Sequence, residues 1–496
     1  MFVNVSNITA KLLNILQKRK FLSAYILGVL TFLAFAPYHF WPIYMAIIPC
    51  LFHLINKEPK ASKYFWLGTF FCAGIVTVNF FWGMNLTQHY FHAMIDNDMY
   101  VYIASITAMF LFFLPTFIFY GVAFSAYSYI KRVTPKFSHV WLFGALLLLC
   151  EIAFGLPYEN QFPWLRSGYS LAGNVTLSQI AAIGSVSALS VLLIMSAALM
   201  ARPSKINLLI ILCAFISTIT FGTVRLSNVD LQYSDTNPVR LVQASLPVTN
   251  NLSVKTKMRS VNQYIMLSQD PSPHEEYLTI WPEAAVPYAI NEESAIIQQM
   301  MGRASPEILT GTVASEGDID NPMRKIYNAS ALIHSAKGLT NITHKTKLVP
   351  YAEYWPLGNF LPRISRIVLG NRIQFHAGET SPVIASQTLG NILVLNCYEI
   401  IFPEIIKSHA KESDVIINIS NDAWFENTLA EDHLLAISRI RAIEAGLPLI
   451  RATNKGANIL YDGYGRLLFY KRSEFPGTQD ILVPNKTESI KYIENQ

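Results

Sequence analysis

Charge is scarce in this chain of 496 residues: only 14% of the residues are Asp, Glu, Lys or Arg, whereas 52% are hydrophobic. The mean hydropathy is +0.31. In ordinary soluble domains about a quarter of the residues are charged. The shortage of charge therefore argues against a wholly soluble globular enzyme and predicts that part of the chain lies in a membrane.

Cysteine is scarce as well, with five residues in the chain. Four of them lie in long apolar runs, where a thiol behaves as a small apolar side chain: Cys50, Cys72, Cys150 and Cys213. The second half holds only Cys397, so it has no CxxC zinc motif, and it has no His-Glu-x-x-His motif either. The net charge of +5 gives no reason to propose nucleic-acid binding.

Seven apolar runs occupy the first half of the chain, and most approach the roughly 20 residues that cross a bilayer. They lie at roughly 21–37, 41–56, 65–84, 100–130, 140–156, 177–200 and 206–224. The first two are short and flank Pro37-Tyr38-His39, so a re-entrant hairpin is the alternative there. No small-residue cleavage site follows the first run, which we expect to be retained. Residues 1–225 are thus predicted to form a transmembrane helical domain of about seven spans.

Positive charges in the loops predict the orientation of these spans. Lys and Arg cluster at 18–20, 57–63, 131–136 and 202–205, whereas 85–98 has neither and 157–174 has only Arg166. The positive-inside rule then places the N-terminus in the cytoplasm. An odd number of crossings leaves everything after Arg225 on the outer side of the membrane.

From about Asp230 the sequence becomes mixed and polar, with short β-branched runs at 240–243, 277–280 and 415–419. Such runs are too short for spans and typical of strands buried on both faces, and a helical stretch lies at 433–445. We predict a folded α/β domain at 238–485 and a polar tail at 486–496. No further hydrophobic span is expected after that domain.

Three short clusters in the α/β half each place polar side chains directly after an apolar strand. They are Trp281-Pro282-Glu283, the segment from Lys345 to Glu353, and Asn396-Cys397-Tyr398-Glu399. A thiol that attacks a carbonyl needs a base, a positive group near the developing oxyanion and a shielded site. A Glu, a Lys and a Cys can supply these, although each alone is more often a surface residue or a structural thiol. Histidines at 274, 334, 344, 376, 409 and 433 keep a Cys-His peptidase as a competitor, but none lies in a peptidase signature.

These clusters, in this order, resemble the Glu-Lys-Cys motifs of the nitrilase, or carbon-nitrogen hydrolase, superfamily. Three further motifs are similar to those of the apolipoprotein N-acyltransferase family: Leu33-Ala34-Phe35-Ala36-Pro37, Phe162-Pro163-Trp164-Leu165 with Gly168-Tyr169-Ser170, and Ser420-Asn421-Asp422-Ala423-Trp424-Phe425. The resemblance covers nearly the whole chain. It implies a membrane α-helical bundle fused to a nitrilase-like domain, an α-β-β-α sandwich.

The resemblance also implies a ping-pong acyl transfer at the outer face of a bacterial inner membrane. Phospholipid would donate an acyl chain to Cys397, and the α-amine of a diacylglyceryl-modified cysteine at a lipoprotein N-terminus would accept it. Glu283 would be the general base. Lys345 would stabilise the oxyanion, with help from the backbone N–H of Tyr398.

Supporting roles follow from the same resemblance. Glu353 matches an acidic residue that would orient the lysine, and Tyr398 and Glu399 match positions beside the nucleophile. The resemblance implies no metal and no diffusible cofactor. The expected partners are phospholipids, diacylglyceryl-modified apolipoproteins and membrane lipids, and the chain is expected to act as a monomer.

The chain departs from the family pattern in several places. Ala352 and Glu426 stand where the family has glycine, and they would be strained if those positions need a positive φ. Ala244-Ser245 stands where the family has Gly-Asn, and the tryptophan expected shortly afterwards is absent. Family members commonly finish with another span, whereas this sequence finishes at Gln496. We expect the chemistry to survive and lipid access to differ.

Two rival functions remain open at this point. A membrane-anchored nitrilase-type amidase would use the same triad with water as the acceptor. A lipoprotein-binding or transport protein would need no triad and would keep its activity without the thiol of Cys397. The number of spans argues against the first rival, since one or two would suffice as an anchor, and the presence of Glu, Lys and Cys argues against the second.

Overall fold

The structure is a computed structural model that describes residues 16–58, 60–92, 95–134, 139–154, 162–227, 236–247, 253–290, 306–317, 324–350, 352–354, 374–426 and 428–486. The chain divides into two compact units, residues 1–228 with 427–436 and residues 229–426 with 437–496. The predicted polar tail lies outside the described residues from residue 487 onwards.

The first unit is helical, and its helices follow the apolar runs of the sequence. They are α1 (Lys20–Leu30), α2 (Tyr44–Asn56), α3 (Ser62–Asn79), α4 (Trp82–His92), α5 (Asp98–Val133), α6 (His139–Ala153), α7 (Val175–Ser178), α8 (Ala181–Met200) and α9 (Lys205–Ser227). Short 3-10 helices cover Thr31–Ala34, Trp41–Ile43 and Ser167–Gly173. Each of the predicted apolar runs therefore contains a helix among its described residues.

Three helices in the described part of the chain are long and apolar enough to cross a membrane. These are α5, α8 and α9, with mean hydropathy between 2.0 and 2.1. The backbone of α8 departs from helical geometry at Gly184 and Ser185. A fourth candidate span is the pair of α3 with the start of α4, which is bent by 68°. The remaining apolar helices α1, α2 and α6 are shorter, so a count of about seven spans stays a prediction.

The second unit contains all the strands that the structure describes. They are β1 (Thr236–Gln243), β2 (Leu278–Ile280), β3 (Val286–Ala289), β4 (Glu307–Glu316), β5 (Lys325–His334), β6 (Gly338–His344), β7 (Val383–Ser386), β8 (Gly390–Asn396), β9 (Val415–Ser420), β10 (Leu449–Thr453), β11 (Gly456–Tyr461), β12 (Leu467–Ser473) and β13 (Gly477–Pro484). Its helices are α10 (Val254–Ser268) and α11 (Pro403–His409), and helix α12 (Leu429–Ala445) begins in the first unit.

The strands form two sheets. The first has the order β13-β1-β2-β4-β5-β6, with β3 paired to β4, and the second has the order β12-β11-β10-β9-β8-β7. The inner pairs β1–β2, β2–β4, β8–β9 and β9–β10 are parallel, whereas the outer pairs are antiparallel, apart from the short parallel pair β3–β4. The strand ends that carry the three polar clusters belong to both sheets: Glu283 follows β2, Lys345 follows β6 and Cys397 follows β8.

One hydrophobic cluster joins the two sheets. Leu278, Leu309 and Leu332 contribute from the first sheet, and Val394 and Ile417 contribute from the second, each at most 1% exposed. The opposite face of the first sheet packs against α10 through a second cluster. Strands buried on both faces explain the continuous β-branched runs of the sequence.

The backbone conformations at the departures from the family pattern differ from the expectation. Glu426 has φ −49° and ψ 132°, and Ala352 is not among the described residues with positive φ. Neither position uses the left-handed region, so the condition for strain at Ala352 and Glu426 is not met. Ser245, by contrast, has φ 53°. Its buried hydroxyl has no hydrogen-bond partner among the described residues.

We expect Ser245→Asn to stabilise the protein, because Asn tolerates the left-handed region better than Ser. The gain should be about 0.5 kcal/mol in the free energy of unfolding, part of the 1–2 kcal/mol that this region costs an ordinary residue. Thermal unfolding of the detergent-solubilised protein measures it. Ser245→Ala is the control, since it removes the unpartnered hydroxyl and keeps the strain. An equal gain in both variants would assign the effect to the hydroxyl instead.

Candidate active site

Cys397 lies at a sharp turn where a buried strand becomes a 3-10 helix. Strand β8 ends at Asn396, and the 3-10 helix runs from Cys397 to Ile401. Cys397 has φ 52°, a region that few residues other than glycine adopt, and its side chain is buried. Such a conformation persists only where the surroundings hold it. A capping box between Asn396 and Glu399 supplies part of that restraint.

Glu399 connects this turn to the loop that follows β6. One carboxylate oxygen accepts a hydrogen bond from the Asn396 N–H at 2.8 Å. The other accepts from the Thr346 N–H at 2.8 Å, the Thr346 hydroxyl at 2.9 Å and the Lys347 N–H at 3.0 Å. Burial raises the pKa of Glu399, and the charge of Lys345 and the N–H donors oppose this shift. The Glu399 carboxylate therefore joins the end of the second sheet to a loop of the first sheet.

Lys345 is buried between two carboxylates. Its side chain is 1% exposed, and Nζ lies 2.9 Å from Glu353 Oε1 and 3.3 Å from Glu283 Oε1. Nζ also lies 5.6 Å from the centroid of the Tyr398 ring. Burial by itself lowers the pKa of Lys345, but the charges of Glu353 and Glu283 outweigh burial and hold the pKa well above its ordinary value. Lys345 is therefore a cation at neutral pH.

Glu283 follows β2 in a turn that approaches β4 very closely. Its Oε1 accepts a hydrogen bond from Asn328 Nδ2 at 2.9 Å, and its Oε2 accepts from the Asn421 N–H at 3.3 Å. The next residue, Ala284, has φ 57°. A Cβ atom on Gly311 of β4 would lie 2.6 Å from the Cα of Glu283. Only glycine at 311 leaves room for this turn.

Asn328 is a site residue that the sequence analysis missed. It lies on β5, and its Nδ2 donates to Glu283 Oε1 at 2.9 Å and to Glu353 Oε1 at 2.8 Å. One amide therefore fixes both carboxylates that contact Lys345. The available signal was an asparagine inside a largely buried strand, where this residue type is depleted.

Burial raises the pKa of the Cys397 thiol, and the charge of Glu283 raises it further, whereas Lys345 lowers it. The thiol is therefore protonated at neutral pH, and its attack on a carbonyl needs a base at the moment of reaction. Glu283 is a carboxylate whose charge reaches the thiol, and Lys345 is the adjacent cation. The arrangement can deprotonate a thiol and stabilise negative charge on oxygen.

The structure brings all the predicted site residues together. Tyr398 completes the set, since its hydroxyl donates to the Leu348 carbonyl at 2.5 Å and its ring contacts Phe402 edge to face. Among the residues that the structure describes, no group of three or more His, Cys, Asp or Glu side chains could hold a metal ion.

Comparison with protein families divides the chain where the composition changes. Residues 27–199 match the model of the apolipoprotein N-acyltransferase N-terminal domain, and residues 239–475 match the carbon-nitrogen hydrolase model. Both matches agree with the resemblance read from the motifs.

Curated relatives carry the same name. The chain is 30% identical over 335 residues to an apolipoprotein N-acyltransferase of Allorhizobium ampelinum, covering 64% of this chain and 62% of that protein. It is 27% identical over 494 residues to one of Rickettsia bellii, covering 94% of this chain and 92% of that protein. The chain thus spans less than two thirds of the first relative and nearly all of the second. A solved mutant amidase of Nesterenkonia, from the nitrilase superfamily, matches with TM-score 0.37 and 16% identity over 52% of this chain and 94% of that chain.

We expect Gly311→Ala to displace Glu283, because the new Cβ would lie 2.6 Å from the Glu283 Cα and 2.7 Å from the Ala284 nitrogen. If Glu283 is the base that the motifs imply, its displacement lowers kcat more than it changes KM, and a shift of about 1 Å can cost roughly 100-fold. Steady-state kinetics of the purified variant measure kcat and KM. Gly477→Ala is the matched control, since no atom lies within 4 Å of its added Cβ. Equal kinetics in both variants would contradict the role of Gly311.

Proposed function

Because this chain belongs to the apolipoprotein N-acyltransferase family, we propose that it transfers an acyl chain from a phospholipid to the N-terminus of lipoproteins. The acceptor is the α-amine of a diacylglyceryl-modified cysteine, so the reaction is the last step of lipoprotein maturation. The observation that carries the proposal is the buried Lys345 ammonium between Glu283 and Glu353, in a site that also holds the strained Cys397 turn.

In the first half-reaction, Cys397 attacks the ester carbonyl of the phospholipid and Glu283 takes the thiol proton. The tetrahedral oxyanion forms near the Lys345 ammonium, and the Tyr398 N–H is the second donor. When the intermediate collapses, the ester C–O bond breaks and the lysophospholipid alkoxide takes the proton from Glu283. Cys397 is left as a thioester.

In the second half-reaction, the lipoprotein amine attacks the thioester. Glu283 accepts a proton from the attacking amine, and the intermediate expels the Cys397 thiolate, which takes the proton back. The products are an amide and the free thiol, so the cycle closes with atoms and charges in balance. A site shielded from water limits hydrolysis of the thioester between the two steps.

Lys345 serves both half-reactions because it stays charged. Two carboxylates raise its pKa well above the ordinary value despite burial. Glu353 accepts from Lys345 at 2.9 Å and from the Val349 N–H at 2.8 Å, so it orients the ammonium. Stabilisation by a preorganised cation in a dry site is larger than in water.

We further propose a four-layer α-β-β-α sandwich for residues 238–485 and a bundle of about seven spans for residues 1–225. The hydrophobic cluster common to both sheets and the α10 packing support the sandwich. The apolar helices support the bundle. The loop charges support a bacterial inner membrane protein with its catalytic domain on the periplasmic side. The expected acting form is a monomer without cofactor.

Cys397→Ala should abolish both the acyl-enzyme adduct and the transfer. The test incubates purified protein with phospholipid and a diacylglyceryl peptide, then determines the mass of protein and peptide. The wild-type chain should gain an acyl mass on Cys397 and pass it to the peptide amine. An acyl group on another residue would contradict the nucleophile, and free fatty acid without N-acylated peptide would favour the amidase-like alternative.

Glu283→Gln is the matched variant for this experiment. It should lose adduct formation because an amide cannot act as the base. Its thiol should nevertheless react faster with iodoacetamide than the wild-type thiol at the same pH, because the charge that raises the Cys397 pKa is gone. If both reactions slow together, Glu283 supports the fold of the site rather than proton transfer.

Residues 230–496 should be accessible from the periplasm. Protease added to intact spheroplasts is expected to cleave sites in this half, and the short loops near residues 57–63 and 202–205 should be cleaved only after the membrane is broken. Full protection of the second half in intact spheroplasts would contradict the orientation.

A further inference from the structure

Behind Cys397 lies a buried polar network that the mechanism above does not use. Its centre is Arg451 on β10, which is 0% exposed. Around it are Asn418 and Ser420 of the neighbouring strand β9 and Asp422 directly after that strand. All three are at most 2% exposed.

One branch of the network reaches the backbone of the nucleophile. Arg451 donates to Asn418 Oδ1, and Asn418 Nδ2 donates to the Cys397 carbonyl at 2.9 Å and to the Leu395 carbonyl at 3.0 Å. The Cys397 carbonyl and the Tyr398 N–H belong to the same planar peptide group. Holding one therefore sets the direction of the other, the proposed oxyanion donor.

The other branch joins Arg451 to Asp422 and Ser420. Arg451 donates to both carboxylate oxygens of Asp422, at 2.6 and 2.8 Å, and to Ser420 Oγ at 3.3 Å. The Ser420 hydroxyl donates to Asp422 Oδ1 at 2.6 Å. The Ser420 side chain lowers the pKa of the Cys397 thiol, whereas the charge of Asp422 raises it. Arg451 thus contacts groups that act on the thiol in opposite directions.

Such a network is a poor means of stabilising a fold. Burying an arginine and a carboxylate costs several kcal/mol in desolvation, and well-packed apolar residues often replace a buried pair without loss. Arg451 Nε has no hydrogen-bond partner among the described residues, which adds to that cost. A role in setting the geometry of Cys397 accounts for its position.

We propose that Arg451 is a positioning residue that orients the Cys397–Tyr398 peptide through Asn418 and the Cys397 thiol through Asp422 and Ser420. The inference rests on the proposed function, because it takes Cys397 as the nucleophile. Besides Asp422, the charged groups that face the thiol are Glu283 of the turn after β2 and Lys345 of the loop after β6. These two stay unchanged in the variants below.

The test uses the full-length purified protein and two readouts. Iodoacetamide labelling of Cys397, quantified by peptide mass spectrometry between pH 7 and 9.5, reports the thiolate without any need for acyl transfer. Steady-state kinetics report kcat and KM. Arg451→Met should lower kcat by roughly 100-fold, the typical loss of one oxyanion donor, with KM within about two-fold. Its labelling should slow, because Asp422 loses its cation.

Two milder variants keep the test decisive if Arg451→Met does not fold. Ser420→Ala removes the hydroxyl that lowers the thiol pKa and should slow labelling of Cys397 at pH 8.5 by about three-fold, half a pKa unit. Asp422→Asn removes a negative charge and should speed labelling by a similar factor. Loosening of the fold alone would change both rates in the same direction.

Arg240→Met is the matched control. Arg240 is also buried, and it pairs with Asp480 and the Asp270 carbonyl in the first sheet. Opposite labelling shifts in the milder variants, with unchanged labelling in Arg240→Met, support the proposal. Shifts in the same direction, no shift, or a kcat loss in Arg240→Met equal to that in Arg451→Met overturn it. Activity retained by Cys397→Ala would instead refute the proposed function. The labelling result does not depend on acyl transfer and is judged separately.

Discussion

The site depends on one buried cation. The ammonium of Lys345 is almost completely removed from water, and the carboxylates of Glu283 and Glu353 compensate for its lost hydration. Removing one partner of such a set leaves an uncompensated buried charge, which costs about 3–5 kcal/mol. Asn328 contacts both carboxylates and so fixes their separation. Two carboxylates of the candidate site are therefore also the groups that make the buried lysine tolerable.

The strained turn at Cys397 is the second constraint on the candidate site. Cys397 adopts a left-handed conformation, and hydrogen bonds surround the turn: Glu399 holds the preceding N–H, and Asn418 holds the following carbonyl. The first contact is local to the 3-10 helix, whereas the second comes from strand β9. Glu399 also bonds the loop after β6, so the turn is held by the tertiary structure as well as by its own capping box.

The sequence predicted the family, the helical first half, the α/β second half and the grouping of Glu283, Lys345 and Cys397. These features depend on local patterns, namely apolar runs, β-branched runs and polar residues at strand ends. Asn328, Gly311 and Arg451 could not be predicted in the same way, because their importance comes from atoms far away in the chain that approach only after folding. Whether Ala352 and Glu426 would be strained could not be predicted for a related reason. A glycine at these positions in the family does not fix the φ angle here, which depends on the path of this loop, and neither residue has a positive φ.

The hydrophobic cluster between the two sheets has a mechanical consequence. Glu283 and Lys345 follow strands of one sheet, and Cys397 follows a strand of the other, so the side chains of the core separate Glu283 from Cys397. Close-packed interiors transmit small changes in volume to the elements around them. Leu332 and Val394 take no part in the candidate site, yet their size helps to set the distance between Glu283 and Cys397. The distance between the Glu283 carboxylate and the Cys397 thiol therefore depends on how the core between the two sheets is packed.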